Sequence, residues 1–277
     1  MNTLQATTPA TLHHLCLTSE NPELLSSFYA RMFDYSPARL EDGTYVLTGG
    51  QRHVLINAGP NGSTEFIAFA VKDAGALEKL RDRFQAGELE PTRSPLFAEG
   101  AFGIRDPHGR RLVFGTPRTE GYPDEHPGRL QHVVYQTTAL QPLLEYYVGK
   151  LGFAISDKVL NEDGSLAVFF IRSDHEHHSL AFFLGSNNEL DHHAYETSCW
   201  NDIRDWGDRL GRERVPMFWG PGRHGPGNNL FFMVRDPDGN KLELSAELET
   251  MAPDQEPRIW PNTERTLNSW GRAWIRG

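Results

Sequence analysis

Three residues in the second half of this chain could together hold a metal ion: His132 in LQHVVYQT, His193 in LDHHAYE and Glu243 in KLELSAE. Each lies in a strand-like run, so its side chain is committed to one face of a sheet. A lone strand histidine is more often a hydrogen-bonded core residue than a ligand, and only convergence changes that weighing. Glu243 interrupts the alternation of Leu242 and Leu244 just past a tight turn, which aims its carboxylate inward. A buried carboxylate is costly unless a cation or basic partner compensates. Two neutral imidazoles and one carboxylate leave three coordination positions open on one side. That arrangement suits Fe(II), or Mn(II) with the same ligands, binding a substrate and dioxygen together. His192 competes with His193, since a one-residue change of register swaps the two; the repeat described next favours His193.

The elements that must position these residues come from an internal duplication. LHHLCLTS around His14 matches LQHVVYQT around His132, and LLSSFYARMFDY matches LLEYYVGKLGF at the same spacing. Further on, RHVLINAG matches HSLAFFLG, and DPHGRRLVF at Asp106 matches DPDGNKLEL at Asp236. Each half reads as strand, amphipathic helix, two or three strands, a second helix and a strand pair joined by an Asp-Pro-x-Gly turn, a βαβββ pattern given twice. This predicts an α+β protein of tandem βαβββ repeats forming two barrel-like domains. The stripes Leu24, Leu25, Phe28, Tyr29, Met32, Phe33 and Leu143, Leu144, Tyr147, Val148, Leu151 are expected in the core. The expected division is 1–117, a Pro/Gly/acid-rich linker at 118–128, a metal-binding domain at 129–247, and a tail at 248–277 that either packs across the barrel or makes a subunit contact. Under the repeat, His132, His193 and Glu243 correspond to His14, Ile67 and Val113. The scaffold therefore stands without the triad, which favours function over structure.

With 277 residues, 38% hydrophobic and 23% charged, the chain has room for two packed cores. A net charge of −10 with no basic, aromatic-interleaved cluster speaks against nucleic acid. No apolar run is long enough for a membrane span and the N-terminus lacks a secretion signal, so a cytoplasmic location is expected. Two cysteines, Cys16 and Cys199, offer neither a disulfide framework nor a thiolate zinc site.

On these residues the chain resembles the two-domain type I extradiol catechol dioxygenases of the vicinal oxygen chelate superfamily, whose fold is glyoxalase-like. The resemblance spans roughly residues 10–247 and is sharpest in GPGRHGPGNNLFFMVRDPDGNKLEL, which resembles that family's signature ending in the ligand glutamate. It implies Fe(II) held by His132, His193 and Glu243. It also implies His178 as the acid/base group, His224 hydrogen-bonding the substrate, and Phe170 as an aromatic wall, although plain core packing explains Phe170 equally well. The implied reaction inserts both atoms of dioxygen into an aromatic diol beside its hydroxyls, and a homo-oligomer fits the same resemblance. In one respect the chain departs from the pattern. Met233 stands where the family commonly has a tyrosine, so Tyr195, Tyr135 or a water would have to substitute, or the substrate differs.

Two rival readings keep the scaffold: a metal-dependent glyoxalase-like isomerase or lyase, and a non-catalytic small-molecule-binding protein, which would need no triad. His13, His53, His108, His126, His175, His177 and His192 are expected in turns or on the surface. Of the pair His177 and His178, strand alternation turns one inward, and His178 has the better position.

Overall fold

The chain is described by a computed structural model covering residues 10–50, 52–118 and 128–273. An eight-stranded sheet is built from residues 10–115, and a nine-stranded one from residues 130–261. In each half a strand, a helix and three strands follow in order, twice, as the patterning predicts. Most of the linker expected at 118–128, with His126, lies outside the described residues.

Local chemistry explains the first helix, Pro22–Phe33. The Asn21 side chain accepts from the Leu24 amide, proline opens the first turn, and Asp34 ends it in the left-handed region. Leu25, Tyr29, Met32 and Phe33 are buried as expected, but Leu24 is half exposed, one position off the stripe. In the second half the equivalent segment is a short α-turn, Gln141–Leu144, running into a π-helical stretch, Glu145–Lys150, which still turns Leu143 and Tyr147 inward.

The Asp-Pro-x-Gly turns do more than reverse the chain. Asp106 Oδ1 accepts from the amides of His108 and Arg110, and Asp236 Oδ1 from those of Asp238 and Asn240. The other oxygen of each faces the opposite half. Tyr29 donates to Asp236 Oδ2 at 3.2 Å and Tyr147 donates to Asp106 Oδ2 at 3.2 Å. These two pairs are equivalent under the repeat, so the halves are pinned reciprocally across one continuous apolar core.

Part of the tail, residues 248–277, joins the second sheet. Arg258–Pro261 pairs in parallel with Ala154–Leu160 and forms an edge of the second sheet, and Glu264–Leu267 follows as a helical turn.

Candidate metal centre

Three strands of the second sheet lie side by side: Leu130–Thr137, Leu190–Thr197 and Lys241–Ala246. Leu130, Val133, Tyr135, Tyr195, Leu242 and Leu244 point into the shared core. The alternate positions line the other face. Ala194 is paired with His132 on one side and with Glu243 on the other. The residue two before it on its own strand, His192, therefore shares their face.

Here the structure corrects the sequence reading. His132, His192 and Glu243 are all buried and bring ligand atoms within 4.8 Å of one another. His132 Nε2 lies 3.7 Å from Glu243 Oε1, and His192 Nε2 lies 3.4 Å from Glu243 Oε2. His193 points into the core, with Nε2 3.3 Å from the Tyr29 hydroxyl and Nδ1 3.2 Å from that of Tyr195. Burial pushes its imidazole down to about 3. The physical reason is register: the pairing of Leu190–Thr197 with Leu130–Thr137 slips between Leu190 and His192 and again between Ala194 and Tyr195. In the first sheet Ala68 pairs with His14 and Val113 as Ala194 pairs with His132 and Glu243, so the counterpart of His192 is Phe66.

The donor set fits a divalent cation. Glu243 is fully buried, Asn229 Nδ2 donates to its Oε1 at 3.0 Å, and among the described residues its Oε2 has no hydrogen-bond partner. Burial pushes the carboxyl up, but His132 and His224 outweigh this and hold it well below the usual carboxylate range. Behind His192, Asp191 Oδ2 lies 2.7 Å from Nδ1 while its Oδ1 accepts from Lys241 at 2.7 Å. A carboxylate behind a ligand histidine fixes its tautomer and raises its basicity. Sequence reading missed Asp191 and Asn229 in these roles. Asp191 carries a signal, an acid directly before the His-His pair.

His178 is buried with its ring 4.4 Å from that of His132 and 5.1 Å from that of Phe170. Burial and the surrounding histidines hold it far below the usual histidine range. His224 stacks on Phe231 at 3.8 Å and places Nε2 3.8 Å from Glu243 Oε2, with Nδ1 2.5 Å from the Leu267 carbonyl. A carbonyl only accepts, so that nitrogen carries a proton. All four histidines and Phe170 open on one pocket whose other walls include Val134, Val168, Ala181, Phe183, Trp219 and Leu267. His132, His178, His192, His224 and Glu243 thus converge, with Phe170 as a wall. Met233 is buried against Trp219 and Phe231, opposite Glu243. Neither Tyr195 nor Tyr135 replaces a phenol there, since Tyr195 meets His193 and Tyr135 approaches Thr64 at 3.3 Å. Of the histidines assigned to turns and surface, His13 is half-buried, and His53, His177 and His192 are buried.

Residues 129–244 match the Glyoxalase/Bleomycin resistance protein/Dioxygenase superfamily. The chain is 31% identical to Metapyrocatechase 2 of Cupriavidus necator over 52% of its own length and 45% of that protein's. It is 29% identical to the Manganese-dependent 2,3-dihydroxybiphenyl 1,2-dioxygenase of Geobacillus genomosp. 3, over 50% of this chain and 46% of that one. It is 28% identical to the Iron-dependent extradiol dioxygenase of Rhodococcus jostii (strain RHA1), over 91% and 86%. The matches therefore span about half the length of the first two relatives and most of the third. The crystal structure of homoprotocatechuate 2,3-dioxygenase from Arthrobacter globiformis superimposes with a TM-score of 0.82, covering 96% of this chain and 89% of that one at 19% identity, a likeness of fold. Among the described residues no helix is long and apolar enough to cross a membrane.

Proposed function

We propose that this chain is an extradiol dioxygenase of the glyoxalase/dioxygenase superfamily, opening an aromatic diol beside its hydroxyls with one Fe(II) held by His132, His192 and Glu243; the superfamily match over residues 129–244 and the likeness to named extradiol dioxygenases support this reading. The observation that carries this is the convergence of two imidazoles and one unsatisfied buried carboxylate on the floor of an apolar pocket. A ferrous ion there would supply Lewis acidity toward the diol and a route by which the diol's own electrons reach dioxygen. Mn(II) accepts the same ligands and is the alternative.

The protein residues divide the remaining work. The walls Val134, Phe170, Ala181, Phe183 and Trp219 exclude water from the ring and orient it, and among the described residues no arginine or lysine lines the pocket. This supports a catechol with a hydrocarbon substituent over a carboxylated one. His178, neutral and buried, can take a proton from a ring hydroxyl and later return it. His224 already donates through Nδ1. To donate to a substrate oxygen through Nε2 as well, its ring must carry both protons; Glu243 Oε2 lies 3.8 Å from that nitrogen. Met233 leaves the pocket short of one phenol donor, which places more of the hydrogen bonding on His178 and His224.

The test is oxygen uptake and product colour with a panel of catechols on protein purified anaerobically with its metal quantified. Ring cleavage with about one iron per chain supports the proposal. Tight binding of zinc or nickel with no oxygen uptake would shift the reading to an isomerase or lyase.

A further inference from the structure

Behind His178 lies a buried chain that pocket chemistry alone does not require. His178 Nδ1 is 2.9 Å from His177 Nδ1, and His177 Nε2 is 3.0 Å from Asp157 Oδ2, with its N–H direction turned somewhat off that oxygen. His177 and Asp157 are both fully buried. Asp157 is surrounded by donors: the Arg258 backbone amide and Nε on Oδ1, and Arg258 Nη2 and Trp260 Nε1 on Oδ2. The loop carrying His177 is held to the tail, its amide donating to the Glu249 carbonyl at 2.9 Å while Glu249 pairs with Arg258.

We propose that Asp157 and His177 are positioning residues that set the tautomer of His178, leaving its Nε2 bare toward the pocket as the proton acceptor. This rests on reading His178 as the proton-transfer group. The argument follows the proton inventory. An ionised carboxylate only accepts, so the His177 nitrogen facing Asp157 carries hydrogen. Arg258 lies 2.9 Å from Asp157 and is shared with Glu249, and the His177 ring is taken to carry this one hydrogen only. Its Nδ1 is then a lone pair, and the neighbouring His178 Nδ1, 2.9 Å away, must be the donor. A neutral His178 with hydrogen on Nδ1 has none on Nε2. The tail strand Arg258–Pro261, by supplying Arg258 and Trp260, completes this chain.

The deciding measurement is histidine ¹⁵N NMR of the full chain, with and without Zn(II) as a diamagnetic occupant. In the parent, His178 is expected protonated on Nδ1. In Asp157→Asn, whose amide can donate to His177 Nε2, and in His177→Phe, it should shift toward Nε2–H. The kcat for ring cleavage should fall about 10- to 100-fold in both, with KM within about threefold and metal content unchanged. A parent His178 protonated on Nε2 would overturn the proposal even if neither variant folds, as would an unaltered kcat in folded His177→Phe. The expected tautomer in a parent that cleaves no catechol would support the chain while overturning the dioxygenase reading.

Discussion

The two halves of this molecule use one scaffold for opposite ends. In the second, the sheet face away from the shared core presents His132, His192 and Glu243 beneath a pocket. In the first, the same face is closed by Cys16, Phe66, Phe97, Ala68 and Val113 packed against one another. His14, the counterpart of His132, survives there buried, its Nε2 3.2 Å from Ser94 Oγ and its ring against Phe66 and Phe97. Phe66 and Val113 fill the places of His192 and Glu243. The fold accommodates either solution because both put compatible groups on one pleated face: apolar side chains that bury each other, or imidazoles and a carboxylate whose burial a cation would compensate.

That contrast can be pushed experimentally. The largest effect is expected from Glu243→Val, which copies the first half. It should abolish metal retention and lower ring-cleaving activity by at least about 10³-fold. Metal-free protein should melt no lower than the metal-free parent, because a buried charge has been replaced by an apolar group. A large loss of stability without metal would mean that Glu243 is a structural requirement after all. Next, Asp191→Asn should weaken metal affinity about 10- to 100-fold, read by titration against a competing chelator, since His192 loses the carboxylate behind it.

The reciprocal tyrosines offer a finer test. Tyr29→Phe and Tyr147→Phe should each cost about 1 kcal/mol in denaturant unfolding. Tyr29→Phe should cost more, because its hydroxyl approaches His193 as well as Asp236, whereas the Tyr147 hydroxyl donates to Asp106. The smallest effect concerns acidity. Burial pushes Asp236 up to about 6. A raised carboxyl binds its proton in the folded state before the unfolded chain does, so its charge opposes folding above about pH 6. That opposition is relieved as pH falls toward the unfolded value near 4. Relative to Asp236→Asn, the parent should therefore gain stability between pH 6 and 4 in thermal melts at matched ionic strength.

Much of this was legible from residues. The duplicated strand patterns, the helical stripe through Tyr29, Met32 and Phe33, and the paired Asp-Pro-x-Gly turns follow from side-chain period and turn chemistry. His132 and Glu243 stood out because each neighbours apolar residues of unambiguous parity. His192 and His193 do not, since adjacent histidines fit either face and the deciding slips in pairing at Leu190 and Ala194 leave no mark in composition. The Asp157–His177–His178 chain joins a strand residue to two loop residues about twenty positions on and is completed by Arg258 of the tail about a hundred positions away, which local periodicity does not register. Leu24, one step off its stripe, failed for the simpler reason that Leu25 takes the inward place.

The central claim, that register assigns the ligand role to His192, is tested most directly by metal analysis of His192→Ala and His193→Ala purified side by side without oxygen. His192→Ala should retain little or no metal while remaining folded. His193→Ala should keep about one equivalent per chain and instead lose stability, because the hydroxyls of Tyr29 and Tyr195 lose a buried partner. Metal retained in the first and lost in the second would contradict the account.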